Sequence, residues 1–240
     1  MAAMRSLALQ EVVVTGAKKV QQEQLGDLKL YRVPERTTLA SRQSKQVRLM
    51  DLMAIPVTTI YQAEFAAGSS SSASAQRLLR TKNTRTNHLG LPLPSGSVAV
   101  FSERADERLL QHESGIRDIA VDEEVEIDAG DSPDVQVAFN REASWVEADK
   151  AKELPLVPGV ILRSINVDTA QKAEVTNGGP HEIQFELKVL IDEGARIVRA
   201  DHPVAAKNGT AIFQFKVPAN QTVTVRFQTQ SVKDRILRTP

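Results

Sequence analysis

The chain contains no cysteine in its 240 residues. Thiol catalysis, structural disulfide bonds and thiolate metal sites are therefore excluded. Long apolar runs are missing as well, since no segment approaches the roughly 20 residues of a membrane-spanning helix, and we expect no membrane span. The N-terminal apolar stretch is interrupted by Gln10 and Glu11. We therefore expect no signal peptide, which leaves the localisation undefined by the chain itself.

Aromatic residues are scarce: the chain has one Trp, two Tyr and seven Phe. Sugar-binding surfaces generally need exposed aromatic side chains that also carry a polar group. Most phenylalanines fall at alternate positions of predicted strands, which leaves Trp145, Tyr31 and Tyr61 as candidates. Trp145 lies in a predicted linker, where we expect it to pack between two domains. A small-molecule ligand therefore stays unassigned.

Histidines are few, and no two are spaced so that they would lie on one face of a helix or strand. They are His88, His112, His181 and His202. The serine-rich segment Gly68–Ser74 is predicted to be a flexible loop without a nearby base, and no GxSxG motif occurs. We therefore predict no catalytic residue, no metal ligand and no cofactor-binding residue, and we expect no cofactor.

Positive and negative charges balance over the chain but are unevenly distributed. Residues 1–102 contain 13 Lys and Arg against 6 Asp and Glu, whereas residues 103–134 contain 3 against 12. The basic segment Arg77–Arg85 could contact phosphate, but nucleic-acid-binding proteins usually combine such charge with a recognisable module or a stacking surface. Neither pattern occurs, so we expect no nucleic-acid partner. The simpler interpretation is that basic and acidic strand faces complement each other.

The acidic segment Val121–Asp134 has enough carboxylates to hold a hard cation such as calcium. Val125 and Ile127 are predicted to face the core of a strand, so the acidic residues beside them would face solvent. Those residues are Glu124, Glu126 and Asp128. The calcium-binding EF-hand pattern fails because Ile127 occupies the position of its glycine. A weak cation site in the following turn stays open, with Asp128, Asp131 and Asp134 as its candidate ligands.

Alternation of apolar and polar residues dominates the sequence and predicts strands. The clearest example is Ile183–Val189, and the same pattern recurs at 123–128, 133–140, 211–217 and 222–228. Asn208 and Gly209 predict a two-residue hairpin turn, because both central positions of a type I′ turn need a positive φ. Short strands separated by such turns are typical of antiparallel sandwiches. The predicted fold class is therefore all-β, with antiparallel β-sandwich domains.

The prediction divides the chain into five parts. Residues 1–22 are expected to form a flexible N-terminal arm, residues 23–143 a β-sandwich domain, and residues 144–158 a linker. Residues 159–231 are expected to form a second β-sandwich domain, followed by a C-terminal tail at 232–240. The linker contains the best helix candidate, Ser144–Leu154, which Pro155 and Pro158 would end.

Residues 87–96 combine two prolines with two glycines and are predicted to form a rigid corner. Pro92 and Pro94 fix their own φ and favour extended backbone at the residues before them. Neither proline can donate to a sheet ladder, so the segment belongs at an edge or between sheets. Gly96 then permits a turn into a predicted strand at Ser97–Phe101.

The corner also carries a spaced set of residues that belongs to a recognisable pattern: Asn87, Leu89, Gly90, Pro92, Leu93, Pro94, Gly96, Val98 and Val100. The set resembles the central signature of domain of unknown function family 4139, which is related to mucoidy inhibitor A proteins. Leu25–Pro34 and Gln43–Val47 are similar to the segment upstream of that signature. Glu174–Asn177, Asp201–Pro203 and Phe215–Asn220 are similar to its closing, immunoglobulin-like part.

Members of that family are β-rich bacterial proteins that commonly have an export signal, an N-terminal partner domain and a coiled-coil segment ahead of this region. The resemblance implies that residues 159–231 form an immunoglobulin-like sandwich and that the chain is a C-terminal portion or a shortened member. It also implies a periplasmic or envelope-associated location. It supplies no catalytic residues.

The function that we predict is a non-enzymatic, envelope-associated structural or protein-interaction role. Strands account for most apolar residues, and few polar groups remain that could converge on a pocket. We expect a protein partner or self-association, the latter through an exposed edge strand. The alternative is a hydrolase or a carbohydrate-binding or carbohydrate-processing protein that uses acids such as Asp128 and Asp131.

Overall fold

The computed structural model describes residues 21–25, 28–32, 41, 48, 50–105 and 107–238. Strands make up almost all of the regular structure in these ranges. They are β1 (Gln21–Leu25), β2 (Leu28–Arg32), β3 (Thr58–Ala66), β4 (Ser71–Lys82), β5 (Gly96–Arg104), β6 (Glu107–Ile116), β7 (Glu124–Val157), β8 (Val160–Asn177), β9 (Ile183–Leu190), β10 (Arg196–Ala200), β11 (Val204–Lys207), β12 (Thr210–Val217) and β13 (Gln221–Arg238).

Helical structure in the described ranges is limited to one 3₁₀ turn at Arg85–Asn87. No helix there is long and apolar enough to cross a membrane. The all-β fold class is therefore confirmed. Residues 1–20 of the predicted N-terminal arm lie outside the described residues.

Nine strands form one large, nearly closed sheet in the order β10-β13-β8-β7-β4-β3-β9-β12-β11. Two further antiparallel hairpins, β1-β2 and β5-β6, are present among the described residues. The large sheet is mixed, because β3 and β9 run parallel whereas β8 is antiparallel to both β7 and β13. The expectation of wholly antiparallel sheets is therefore wrong at β3 and β9. The long chain segment between these two strands supplies the crossover connection that a parallel pair needs.

The chain divides into two compact units that do not follow the predicted boundaries. One contains residues 82–93 and 119–123 together with the described residues before Val57. The other contains residues 57–81, 94–118 and those from 124 onward, and it holds the large sheet apart from the last residue of β4. Strands expected in two domains share this sheet, since β3 pairs with β9.

Aromatic residues fill the core of the large sheet. Phe65 of β3 stacks on Phe139 of β7 with ring centroids 4.9 Å apart. Phe213 of β12 and Phe227 of β13 lie 5.1 Å apart, although these strands are close to opposite ends of the strand order. The sheet must therefore curve until its two ends approach each other around one core.

The alternating patterns placed these strands correctly. Ile183, Phe185, Leu187 and Val189 of β9 are buried in the core, and Gln184 and Leu190 are exposed. Asn208 and Gly209 connect β11 to β12 with φ values of 52° and 81°, so the predicted hairpin turn is confirmed. A strand shows its buried face in the sequence because successive side chains point to opposite faces.

Three predicted segments are corrected by the structure. Ser144–Leu154 lies within β7, so the helix prediction is wrong and most of the predicted linker at 144–158 is strand. Residues 232–238 of the predicted C-terminal tail continue β13. The serine-rich loop is shorter than predicted, because β4 already begins at Ser71. In the first two cases pairing with β8 overrides weak local preferences, which the sequence of one segment cannot reveal.

Candidate functional site

Charged side chains gather on the face of the large sheet opposite the aromatic core. Glu186 lies between Phe185 and Leu187, and Gln214 follows Phe213, so both point away from the phenylalanines. Arg80 of β4 reaches the same face. We call this group the charged cluster; its members are Arg80, Glu124, Glu126, Glu186, Lys207 and Gln214.

Arg80 and Glu186 form the centre of the cluster. The two terminal nitrogens of the Arg80 guanidinium donate to the two carboxylate oxygens of Glu186 over 2.6 and 2.7 Å. The Glu186 side chain is only 4% exposed and that of Arg80 is 15% exposed. Gln214 donates a further hydrogen bond of 2.7 Å to Glu186. Both oxygens of the buried Glu186 carboxylate therefore accept hydrogen bonds.

The remaining members extend the cluster to β7 and β11. Arg80 Nε donates to Glu126 Oε1 over 2.8 Å, and Lys207 Nζ donates to the same oxygen over 3.0 Å. Lys207 also pairs with Glu124. The pairs therefore join residues from β4, β7, β9 and β11. The interpretation that basic and acidic strand faces complement each other is confirmed at these residues.

The contacts shift the pKa values of four members of the cluster toward their charged forms. Hydrogen bonding from Arg80 lowers the pKa of Glu186 below its ordinary value despite burial. Burial alone would raise the pKa of Glu126, but hydrogen bonds from Lys207 and Arg80 outweigh it and the pKa is lowered. Hydrogen bonding to Glu186 raises the pKa of Arg80. Burial opposes the charge of Lys207, yet its hydrogen bonds to Glu124 and Glu126 raise its pKa.

These shifts decide what the cluster can do chemically. A general acid or base works best with a pKa near the operating pH. The carboxylates of Glu126 and Glu186 instead move away from neutrality, and so do Arg80 and Lys207. These four groups therefore stay ionised at neutral pH, and their physical role is to hold β4, β7, β9 and β11 together.

The candidate cation ligands do not converge. Asp128 accepts hydrogen bonds from the Gln76 side chain over 2.9 Å and from the backbone N–H of Gly130 over 2.8 Å. Asp131 and Asp134 are exposed. Within the described ranges, no three His, Asp or Glu side chains lie close enough together to hold a metal ion. The carboxylate of Asp128 therefore supports the local fold.

The four histidines also lie apart. His112 is next to Asp128, with 3.5 Å between Nε2 and Oδ2. His88 follows the 3₁₀ turn, His181 precedes β9 and His202 follows β10. Nothing in the described part of the chain brings a second histidine to Asp128.

The aromatic candidates for a sugar platform are dispersed as well. Trp145 lies in β7, is 41% exposed and stands opposite Asp168 of β8, so the prediction that it packs between two domains is wrong. Tyr61 packs against the aromatic core. The side chain of Tyr31 lies outside the described residues.

The proline- and glycine-rich corner is held by a buried asparagine that the sequence did not single out. Asn83 is fully buried; its amide group donates to the carbonyls of Leu91 over 2.8 Å and Ala120 over 2.9 Å. Its side-chain oxygen accepts a hydrogen bond of 2.9 Å from the N–H of Gly90. Gly90 has a φ of 93°, and a Cβ there would lie 2.5 Å from the Arg85 side chain. Asn83 therefore holds the backbone of the corner at Gly90 and Leu91.

Several exposed apolar residues lie where the sheet extends beyond its core. Residues 144–157 of β7, 160–169 of β8 and 229–238 of β13 form a three-stranded antiparallel ribbon. We call it the distal ribbon. Core residues end before it, at Phe139, Ala173 and Phe227 of the same three strands. Asp168 and Thr229, next to the core, are buried, whereas most described side chains further along β7 and β13 are exposed on both faces of the ribbon.

Strand register assigns the side chains of the distal ribbon to two faces, because directly opposed residues share a face. The face with the even-numbered residues of β8 is called the even face. It carries Trp145, Glu147, Lys152, Leu154, Val157, Val160, Leu162, Ser164, Asn166, Asp168, Gln230, Val232, Asp234, Ile236 and Arg238. The second, called the odd face, carries Val146, Glu153, Pro155, Ile161, Arg163, Ile165, Val167, Ser231, Lys233, Arg235 and Leu237.

Apolar side chains on the distal ribbon are unusually exposed for strands. Leu154 is 58% exposed and Ile236 is 65% exposed, and both pair with Leu162 in one row across the even face. Val232 on that face and Val146 on the odd face are exposed as well. Contiguous exposed apolar surface of this kind marks sites of protein contact.

No family model, no curated protein and no solved structure matches the chain. The family resemblance of residues 87–100 therefore stays a hypothesis that rests on the residues quoted for it.

Proposed function

We propose that the chain is a non-enzymatic β-rich module that acts by protein contact, in the envelope-associated structural or interaction role that its family resemblance implies. The distal ribbon carries this proposal. A three-stranded ribbon that stabilised only its own chain would be expected to bury one face. Leu154 and Ile236 instead point into solvent beyond the end of the core.

The charged cluster supports the same proposal from the chemical side. Glu186 and Glu126 are the most buried acids of that face, and each already accepts hydrogen bonds from cationic partners. Lowered pKa values keep both acids ionised at neutral pH. Asp128 does not support the hydrolase alternative, because its two carboxylate oxygens already accept hydrogen bonds from Gln76 and Gly130.

The predicted immunoglobulin-like sandwich is part of this proposal. We infer that the curved sheet acts as two facing layers, which is the arrangement of an immunoglobulin-like sandwich. Contacts between strands distant in the sheet order support it, notably Phe213 with Phe227. A periplasmic or envelope location follows only from the family resemblance.

The proposal is tested by retention of envelope proteins on the immobilised full chain. The test variant is Ile236→Asp, which places a charge in the most exposed apolar position of the even face. The matched control is Phe101→Asp, because Phe101 is a similarly exposed apolar residue on β5, outside the ribbon. We expect the wild type and the control to retain the same proteins and Ile236→Asp to lose them. Retention that is equal for all three chains would refute the proposal.

A further inference from the structure

We propose that the even face of the distal ribbon is a self-association surface, on which a second copy of the chain packs face to face. This inference rests on the proposed contact function and names the partner. The centre of the contact is the row formed by Leu154, Leu162 and Ile236. Two sheets that pack through such rows lie about 10 Å apart with their strands nearly aligned.

The charges of the two faces distinguish the even face from the odd face. On the odd face Arg163, Lys233 and Arg235 outnumber Glu153, so two copies of that face would repel each other. On the even face the charges that reach solvent are mixed in sign, because Lys152 and Arg238 are positive whereas Glu147 and Asp234 are negative. The even face is therefore the one that tolerates its own copy.

The positions of Lys152 and Asp234 fit a two-fold axis. Lys152 and Asp234 are both aligned with Ser164, at opposite sides of the same row. A two-fold axis parallel to the strands places β7 of one copy over β13 of the other. Lys152 of each copy then meets Asp234 of the other, and Leu154 meets Ile236. The contact is complementary in charge at the first of these rows and in apolar surface at the second.

The edges of the distal ribbon are poorly suited to the alternative, in which a second copy adds a strand. On the β7 side, Pro155 has no N–H to donate, and the register is irregular between Glu147 and Lys152. On the β13 side, Lys233 and Arg235 would approach the same residues of an antiparallel copy. Both features are devices that protect edges from pairing.

The size of the even face sets the expected strength. Three strands about 4.8 Å apart and about nine residues long at 3.3 Å each give a face of about 14 by 30 Å. Two such faces bury less than the roughly 800 Å² per partner of a standard stable interface. We therefore expect a reversible dimer with a dissociation constant in the micromolar range.

Sedimentation velocity of the full chain from about 1 to about 300 µM tests the inference, because a micromolar dimer changes its populated state across that range. We expect a concentration-dependent shift from monomer to dimer. Ile236→Asp should raise the dissociation constant at least about tenfold, since a carboxylate would be desolvated in the contact. Leu237→Asp, the neighbouring residue on the odd face, is the matched control and should leave the dissociation constant unchanged. A wild type that is monomeric throughout, or an equal loss in both variants, would overturn the inference.

A charge exchange tests the two-fold arrangement itself without touching apolar residues. Lys152→Asp and Asp234→Lys should each weaken the dimer, because each places like charges opposite one another. The double variant should restore the wild-type dissociation constant. Failure of the double variant to restore it would overturn the proposed arrangement. If the chain is monomeric yet still loses its envelope proteins on Ile236→Asp, the contact function stands and self-association is wrong.

Discussion

Removal of the Arg80 guanidinium is the sharpest test of the charged cluster. In Arg80→Met the aliphatic stem is kept, but Glu186 loses both charged hydrogen bonds and keeps the one from Gln214. The Glu186 side chain is only 4% exposed, so water cannot replace the lost donors. Breaking a buried ion pair by removing one partner costs about 3–5 kcal/mol.

The assay is chemical and thermal unfolding of the full chain. For a chain of this size each kcal/mol lowers the melting temperature by about 2–4 °C, so we expect a fall of about 10 °C. The double variant Arg80→Met with Glu186→Gln removes the uncompensated charge and should recover a large part of the loss. A loss below about 1 kcal/mol for Arg80→Met, or no recovery in the double variant, would refute the reasoning.

Three further predictions concern pH, the corner and the hairpin turn. The pKa of Glu186 is lowered in the folded chain, so its contribution to stability is present above about pH 4.3 and is lost as the pH falls through the folded value; unfolding at a series of pH values should show a shallower acid loss for Glu186→Gln. Asn83→Ala removes three hydrogen bonds of the buried corner and should cost about 3 kcal/mol in urea unfolding, and a cost near zero would contradict the role given to Asn83. Gly209→Ala forces an alanine to a φ of 81° and should cost about 1 kcal/mol, whereas Gly115→Ala, at a position without positive φ, should cost less.

The strands of the core could be predicted because each shows its buried face in its own sequence. Ile183–Leu190 is an example, since alternate apolar residues specify a strand whatever lies beside it. The hairpin at Asn208 and Gly209 is equally local. The partners of a strand are not local, and so neither the parallel pairing of β3 with β9 nor the single large sheet was predicted.

The distal ribbon escaped prediction for a related physical reason. Apolar and polar residues do not alternate regularly along 144–157 and 232–238, because no core covers these residues and selects one face. Their strand conformation depends on hydrogen bonds to β8, which sequence spacing does not encode. Burial patterns therefore predict the core well and the exposed surface poorly.

Only part of the charged cluster was predicted from the sequence. The basic segment at 77–85 and the acidic segment at 121–134 were visible in the composition, and their mutual pairing was the simplest interpretation. Glu186 was expected on the polar side of β9, but its burial was not. Arg80 contacts Glu186 although β3 lies between their strands, β4 and β9, in the sheet. Only the folded sheet brings these two side chains together.

Hydrogen–deuterium exchange of the full chain, alone at low concentration and again with the envelope proteins that it retains, tests the role of the distal ribbon most directly. Slower exchange should be confined to residues 144–169 and 229–238, with the strands around Arg80 unchanged. Protection centred on the charged cluster or on the corner at 87–96, with an unchanged distal ribbon, would contradict it.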